Sequence, residues 1–458
     1  MKKTEITFLI IILLFALFLR VYALGQPGMW VDETISGIAS REILEKGVPV
    51  FDSGASYIRA YVFHYLQSFF MFFMNNDFGA RIASVLFGML TIVLGYFIGK
   101  EYSSRSGGII VTLFLAVFYL EVFYSRQARF YQMFQFMFFL TLYLVYKSAE
   151  DKNFIYPALL SFFITVNTQT AGLVLAPFFI IYSFSYNKTR WWLSLITLIP
   201  VVYYAYGLMA LTGGAQSAGN YISRYSEYID NVKYLFVLVI PGMIWSYIKN
   251  KKLTLLLVIP TLTLLFGVFF VKLFALRYMY FFVFALVFYS SILMAYLYDK
   301  YGNYMVLTIF VLLFFPSNLL FDYNFVNVIK PVDYNLGDFS APVIGYKAIP
   351  INLSSEIVNS NKTIMTFFSP GVEWYLRKPD YVFPFSMSGI GNDSVSYNGA
   401  DVYSGAKIST EKPSEDFYFI ADNFALSKLT QSQKEQYSLI VQNCSTRYTS
   451  RDLAVYDC

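Results

Sequence analysis

The sequence predicts an all-α membrane domain with about 11 transmembrane helices, followed by a small extracytoplasmic α/β domain. Hydrophobic residues make up 57% of the 458 residues and charged residues only 14%, whereas a soluble domain has about 25% charged residues. Apolar stretches of transmembrane length recur up to about residue 320, and segments rich in Asn, Ser, Asp and Lys follow. We therefore expect a transmembrane domain over residues 1–320 and a soluble domain over residues 321–458.

The first apolar stretch runs from Ile6 to Leu24, directly after a lysine-containing N-terminus. Its roughly 19 residues would span about 28 Å as an α-helix, which is enough to cross the hydrocarbon layer. The stretch is long for a cleaved signal peptide and lacks a small-x-small cleavage site. We therefore interpret it as a retained helix with its lysine end in the cytoplasm. The polar residues 25–60 then form the first outer loop.

Ten further apolar segments predict the remaining crossings. They lie at about 61–75, 80–99, 107–124, 130–147, 154–186, 191–208, 233–249, 253–270, 275–297 and 303–320. Because the segment 154–186 is long enough for one long or two short passes, the count is 11 or 12.

The soluble domain is predicted to contain short strands and helices. Strand-like apolar runs occupy 363–368, 417–421 and 453–456, and a helix is expected from Ser432 to Leu439. Four glycosylation sequons in this domain fit an extracytoplasmic location. They begin at Asn352, Asn361, Asn392 and Asn443. A cytoplasmic N-terminus and an outer C-terminal domain require an odd number of crossings, so we prefer 11.

Several classes of protein are disfavoured. The net charge of +5 is small and the basic residues are scattered, so nucleic acid is an unlikely partner. Cys444 and Cys458 are the only cysteines and allow one disulfide or two free thiols, but neither a zinc cluster nor a disulfide framework. No Gly-rich nucleotide-binding motif is present, which disfavours ATP or a soluble nucleotide sugar as substrate.

Two adjacent carboxylates stand in the first outer loop, in Trp30-Val31-Asp32-Glu33. Neighbouring residues on a helix point about 100° apart, so the two side chains can serve different partners. Solvated loop charges or a helix N-terminal cap explain the same pair.

Arg126 and Arg129 lie three residues apart between apolar stretches, on one face if the segment is helical. Guanidinium groups suit a phosphate or diphosphate because they stay charged and donate bidentately. A positive-inside anchor at a cytoplasmic helix end explains them equally well, and Arg81 and Arg277 share this ambiguity. His64 is the only histidine, so it is expected to pack or to form hydrogen bonds at the membrane interface.

Four motifs, in this order, resemble the C-type (GT-C) membrane glycosyltransferases. The likeness is to the protein O-mannosyltransferases and their prokaryotic relatives, archaeal ones included, which use polyprenyl-phosphate sugars. The motifs are Trp30-Val31-Asp32-Glu33, the segment from Gly79 to Gly88, the segment from Tyr124 to Tyr131, and Leu276-Arg277-Tyr278. The segment 369–381 also looks like the outer domain of archaeal members.

The sequence departs from the family in two places. The His-Pro-Pro-Leu sequence of many relatives is missing, so the acceptor class is not carried over. The Trp-Trp-Asp signature of oligosaccharyltransferases is missing too, which argues against transfer of a whole oligosaccharide to asparagine.

The resemblance implies a hexosyltransferase that moves a sugar from a polyprenyl (dolichyl) phosphate to an acceptor hydroxyl on the extracytoplasmic face, with inversion. The leaving group is already a stable anion, so one carboxylate base and cations for the phosphate suffice. Asp32 is then the base, and Glu33 orients Asp32 or the acceptor. Arg126 and Arg129 are the leading phosphate ligands. The further expected ligands are Arg81, Arg59 and Arg277, and the expected pocket residues are Trp30, His64 and Tyr131.

The expected partners are the lipid-linked donor, membrane lipids, and a glycan, protein or lipid acceptor. No full metal-ligand set is visible, although a divalent ion held together with the donor phosphate stays open. A polytopic transporter or flippase is the main alternative, and it predicts paired repeats, which the sequence lacks. A sensor or assembly protein with anchoring helices is the second alternative, and it does not require so many crossings.

Overall fold

The computed structural model describes residues 3–187, 189–204, 235–268, 276–302, 344–384 and 396–458. The chain forms two compact units. Among the described residues, the first unit takes in 3–24, 59–63 and those from 81 to 302, and the second takes in 25–58, 64–80 and those from 344 to 458. The predicted domain boundary near residue 320 and the predicted crossing at 303–320 lie outside the described residues.

The described residues before 303 are mostly helical, as predicted. The described helices are α1 Lys3–Val21, α2 Val31–Lys46, α3 Tyr61–Phe73, α4 Asp77–Lys100, α5 Ser104–Val117, α6 Tyr119–Ser125, α7 Tyr131–Lys147, α8 Ile155–Thr168, α9 Leu175–Tyr186, α10 Trp191–Tyr204, α11 Leu235–Lys249, α12 Lys251–Val268 and α13 Tyr280–Tyr301. Helices α1 and α5–α13, with most of α4, form the first unit.

Two of the described helices are long and apolar enough to cross a membrane, namely Asp77–Lys100 and Arg277–Tyr301. The pair Ser106–Val117 and Tyr119–Ser125 adds a third span if it is one broken helix, and it bends by 63° at Phe118. The long segment 154–186 is divided into α8 and α9 by a 3₁₀ turn at Thr170–Val174. The total of 11 crossings therefore stays a prediction.

One end of the first unit carries lysines. Tyr96 on α4 donates a hydrogen bond to Glu5 on α1 (3.0 Å), and Lys147 at the end of α7 pairs with Glu101 after α4 (2.9 Å). Asp299, near the end of α13, accepts a hydrogen bond from Ser103 (2.6 Å). The first turn of α1 and the last turns of α4, α7 and α13 thus meet at what we call the lysine end.

The opposite end of the first unit carries arginines. Arg81 on α4 donates to the carbonyl oxygen of Leu24, which follows α1 (2.8 Å). Arg126, which follows α6, donates to the carbonyl oxygen of Tyr22 (2.7 Å). The last turn of α1 and the first turns of α4 and α7 therefore meet at what we call the arginine end.

This arrangement corrects the predicted crossing at 61–75. The chain leaves α1 at the arginine end and enters α4 at the same end, so the intervening residues make no net crossing. Helix α3 has 13 residues and is about 20 Å long, which is short of the roughly 30 Å hydrocarbon layer. Its apolar composition alone made it look like a transmembrane helix.

The second unit contains α2 and an eight-stranded sheet, which confirms the predicted α/β composition. The strands are β1 Thr363–Thr366, β2 Tyr381–Val382, β3 Ser396–Tyr397, β4 Ala400–Asp401, β5 Lys407–Ile408, β6 Phe417–Asp422, β7 Ser445–Thr449 and β8 Leu453–Asp457. The helices are α14 Ile351–Asn359, α15 Ser369–Tyr375, α16 Asn423–Lys428 and α17 Gln431–Val441. The sheet order is β3-β4-β5-β2-β1-β6-β8-β7, and β5, β2, β1 and β6 run parallel.

Strand β6 is buried at every position, which is why it reads as a continuous apolar run. Ile364 and Ile420 pack under α14 on one face of the sheet, and Phe367 and Phe419 pack with α17 on the other. A capping box starts α17, in which Thr430 accepts from the amide of Gln433 (3.3 Å) and Gln433 accepts in return from the amide of Thr430 (3.0 Å). Cys444 and Cys458 form a disulfide.

Candidate active site

The acidic pair lies in the first turn of α2, and its two members differ in environment. The amide of Trp30 donates to the Glu33 carboxylate (3.3 Å), and Glu33 is only 1% exposed. Glu33 therefore closes the N-terminus of the helix, where backbone donors lack intrahelical partners. Asp32 is partly exposed. Glu33 therefore fits the predicted helix cap, and Asp32 is the more accessible of the two carboxylates.

Arg126 is 4% exposed and lies at the arginine end. Its Nη1 atom donates to the carbonyl oxygens of Leu19 (2.9 Å) and Tyr22 (2.7 Å) in and after the last turn of α1. The last carbonyls of a helix have no intrahelical partner, so a cation is favourable there. Arg81 makes the same kind of contact with Leu24.

Arg129 lies between α6 and α7, in a segment that is not helical. Spacing along a helix face therefore does not describe its relation to Arg126. The guanidinium of Arg129 stands over the rings of Phe130 (4.8 Å) and Tyr131 (5.5 Å), which favours a cation electrostatically. Ser84 on α4 donates to the main-chain oxygen of Arg129 (2.9 Å).

The remaining predicted arginines are more accessible. Arg59 is exposed, and Arg277 is half-buried in a 3₁₀ turn directly before α13. Arg81 and Arg126 lie at the arginine end. A positive-inside anchor stays an alternative for both residues.

His64 is fully buried on α3. Its Nδ1 atom lies 3.2 Å from the Ser40 hydroxyl and 3.1 Å from the Gln67 side-chain oxygen. Ser40 also donates to Gln67 (2.6 Å), and Gln67 donates to the carbonyl of Ala80 (2.7 Å). The contacts agree with the predicted packing and hydrogen-bonding role and leave a place in the substrate pocket as a prediction.

Sequence reasoning missed a buried carboxylate in the first unit. Glu121 on α6 accepts hydrogen bonds from the Tyr280 hydroxyl (2.7 Å) and the Gln135 amide (2.9 Å). Arg20 is also buried and donates to the carbonyl oxygen of Ala116 (2.9 Å), a residue close to Glu121 in the sequence. A carboxylate inside the apolar segment 107–124 was the available signal, because an intramembrane charge marks a functional or structural polar network.

Sequence reasoning also missed Asp77, at the first position of α4 and two residues before the Gly79 motif. In the second unit this carboxylate accepts from the side chains of Lys347 (2.7 Å), Trp374 (2.8 Å) and Tyr375 (3.0 Å). No local pattern links these residues, because about 270 to 300 positions separate Asp77 from its partners.

Glu373, directly before Trp374, is the most perturbed acid of this region. Burial raises the pKa of its carboxyl to about 7, and the neighbouring Asp52 adds to the effect. Arg41 on α2 opposes it, and burial lowers the pKa of the Arg41 guanidinium. Within the described ranges, no group of three or more His, Cys, Asp or Glu side chains is arranged to hold a metal ion.

Comparisons with known proteins agree with this fold. Residues 59–215, about a third of the chain, match the family model described as dolichyl-phosphate-mannose-protein mannosyltransferase. No curated protein matches the chain by sequence.

Solved structures share the fold at low sequence identity. ArnT from Cupriavidus metallidurans in the apo state is similar with a TM-score of 0.64 and 11% identity, over 99% of this chain and 97% of that chain. ArnT bound to undecaprenyl phosphate gives a TM-score of 0.60 and 12% identity, over 100% and 98%. The archaeal oligosaccharyltransferase AglB from Archaeoglobus fulgidus, in complex with an inhibitory peptide and a dolichol-phosphate, gives 0.56 and 12%, over 92% and 69%.

Together these matches confirm the resemblance drawn from the motifs. The fold is the GT-C fold of ArnT and AglB. Because the mannosyltransferase family model matches about a third of the chain, the chain is similar to membrane glycosyltransferases that use polyprenyl-phosphate donors.

Proposed function

We propose that this glycosyltransferase moves a hexose from a polyprenyl-phosphate donor to an acceptor hydroxyl on the extracytoplasmic face, with inversion at the anomeric carbon. Asp32 is the general base, and arginines hold the donor phosphate. The observation that carries this proposal is the contrast between the accessible Asp32 and the capped, buried Glu33.

The step needs one base and no second acid. The acceptor hydroxyl gives its proton to the Asp32 carboxylate as its oxygen bonds to the anomeric carbon. The bond from that carbon to the phosphate oxygen breaks, and its electron pair leaves with the polyprenyl phosphate. Because the leaving group is stable as an anion at neutral pH, cationic contacts replace protonation. The rigid first turn of α2 suits a base that must be held in place.

Arg59 and Arg277 are the arginines that can reach a phosphate with the least rearrangement, because both are at least partly exposed. Arg129, stacked on two rings, adds a fixed positive charge. Arg126 and Arg81 are held by backbone carbonyls and contribute mainly through their charge at the arginine end. Trp30 and Tyr131 are buried. They lie close in the sequence to Asp32 and Arg129, and they are proposed to shape the pocket.

We propose that the lysine end of the first unit faces the cytoplasm, in keeping with the positive-inside rule. The disulfide between Cys444 and Cys458 supports an oxidising, extracytoplasmic location for the C-terminal domain. The sequons at Asn352, Asn361 and Asn443 are exposed, which supports the same location. The sequon at Asn392 lies outside the described residues.

Asp32→Asn should abolish transfer without loss of folded protein, because the amide keeps the size of the side chain but accepts no proton. Purified wild type and variant are assayed in detergent with undecaprenyl- and dolichyl-phosphate-linked mannose, glucose and galactose. Glu45→Gln, which removes an exposed carboxylate from the same helix, is the matched control. A loss of at least about 1,000-fold is expected for Asp32→Asn, and no loss for Glu45→Gln.

Retained transfer by Asp32→Asn would overturn the assignment of the base. A parallel assay with chelator tests whether a divalent ion assists the donor phosphate. Donor binding by the wild type without transfer from any donor would favour the flippase alternative.

A further inference from the structure

Asp77 collects three donors that come from distant parts of the second unit. The Lys347 ammonium, the Trp374 indole N–H and the Tyr375 hydroxyl all donate to its carboxylate, at 2.7, 2.8 and 3.0 Å. Asp77 is only 5% exposed. A carboxylate that is buried in this way is favourable only with such a complete set of donors. We refer to Asp77, Lys347, Trp374 and Tyr375 as the anchor cluster.

Two members of the anchor cluster also hold the segment that leads into α2. The amide of Met29 donates to the Tyr375 hydroxyl (2.6 Å), and Lys347 donates to the carbonyl oxygen of Gly25. A tyrosine hydroxyl has one proton and free lone pairs, so Tyr375 can donate to Asp77 while it accepts from Met29. Both ends of the segment from Gly25 to Met29 are therefore fixed to the cluster.

Trp374 also fixes α2 itself. A Cβ atom on Gly37 would lie 2.6 Å from the indole ring, so only glycine allows this close approach. The Arg41 guanidinium stacks on the same ring at 4.4 Å. Gly37 and Arg41 are four residues apart and share one face of the helix. The cluster thus holds α2 both before its first turn and along its side, and Asp32 lies between these two points of attachment.

We propose that the anchor cluster positions Asp32 for the transfer reaction, so that the C-terminal domain sets the geometry of the base. The inference rests on the proposed function of Asp32. A displacement of about 1 Å at a reacting group can cost about 100-fold in rate. The members of the cluster are positioning residues, because each acts through the backbone that carries Asp32.

Tyr375→Phe tests the proposal because it removes one hydroxyl and keeps the ring. Transfer kinetics are measured with the donor that the wild type uses, together with hydrogen–deuterium exchange of the amides at 26–33. We expect kcat to fall at least about tenfold at unchanged donor KM, and the amides to exchange faster. Tyr418→Phe is the control, because it removes a similar hydrogen bond in the same unit, the one that the Tyr418 hydroxyl donates to Glu356 (3.0 Å).

Three outcomes decide the matter. Wild-type kcat and exchange in Tyr375→Phe, with Asp32→Asn inactive, would overturn the positioning role and leave the proposed base intact. An active Asp32→Asn would overturn the proposed base instead. If the wild type transfers no sugar from the donor panel, the exchange data decide alone. Amides at 26–33 that exchange as slowly in Tyr375→Phe as in Tyr418→Phe would then contradict the proposed attachment of this segment to the anchor cluster.

Discussion

Glu373 lies on α15 with its Oε2 atom buried and, over the described residues, without a hydrogen-bond partner. Burial raises the pKa of this carboxyl from 4.5 to about 7, and Asp52 and Glu42 reinforce the shift against Arg41 and Lys378. Between these two pKa values the folded state binds more protons than the unfolded state. The free energy of unfolding therefore falls as the pH rises through this window. The full destabilisation from ionising the buried carboxyl is present above about pH 7.

Glu373→Gln should remove this pH-dependent cost, because glutamine is uncharged at every pH. We expect the melting temperature of the variant in detergent to match wild type near pH 5 and to exceed it near pH 8. Glu435→Gln, an exposed carboxyl on α17, should shift the melting temperature alike at both values. An equal shift for Glu373→Gln at the two pH values would contradict the raised pKa.

Asp32 and the arginines were identifiable from the sequence as candidates because short motifs contain them, and their roles stay predictions. The distinction between Asp32 and Glu33 was not, since it depends on which carboxylate turns back to the amide of Trp30. Asp77 and Tyr375 were missed for another reason. They become neighbours only when residues about 300 positions apart fold together, and no local spacing records that contact.

At the scale of elements, strands β1, β6 and β8 were predictable because burial makes each a short apolar run. Strands β2 and β3 have two residues each and leave no periodic signal. Helix α3 was misread as a crossing because composition does not reveal orientation. In the folded chain α3 exposes Phe69, Phe72 and Phe73. It buries polar side chains such as His64 and Gln67, and the sequence alone does not show which face is buried.

The disulfide between Cys444 and Cys458 ties the entry of β7 to the end of β8. It closes a loop with a sequence separation of 14, for which the chain-entropy model gives about 3 kcal/mol of stability. The double variant Cys444→Ser/Cys458→Ser should lower the unfolding free energy by about that amount, measured by denaturant unfolding of the purified protein. Dithiothreitol should reproduce the loss in wild type and leave the variant unchanged. A reductant effect on the variant would point to another cause.

At the scale of the whole molecule, the two ends of the first unit carry different basic residues. Lys147 and Lys300 lie at the lysine end, where Tyr146 also accepts a hydrogen bond from Asn250 between α11 and α12 (2.9 Å). Arg81 and Arg126 lie at the arginine end. We propose from the positive-inside rule that the lysine end faces the cytoplasm, and we then expect the loop between α1 and α4 to lie outside.

Asn75, between α3 and α4, separates this topology from one in which α3 crosses the membrane. With α3 outside, a membrane-impermeant maleimide should label Asn75→Cys in intact cells as readily as Glu45→Cys on α2, since both positions are exposed. Lys152→Cys, which follows the lysine end of α7, should be labelled only after permeabilisation. The native cysteines are joined to each other and do not react. If Asn75→Cys is labelled only after permeabilisation, like Lys152→Cys, α3 crosses the bilayer. Asp77 would then lie on the opposite side of the membrane from Asp32. That result would contradict the anchor cluster, which holds both residues in one unit.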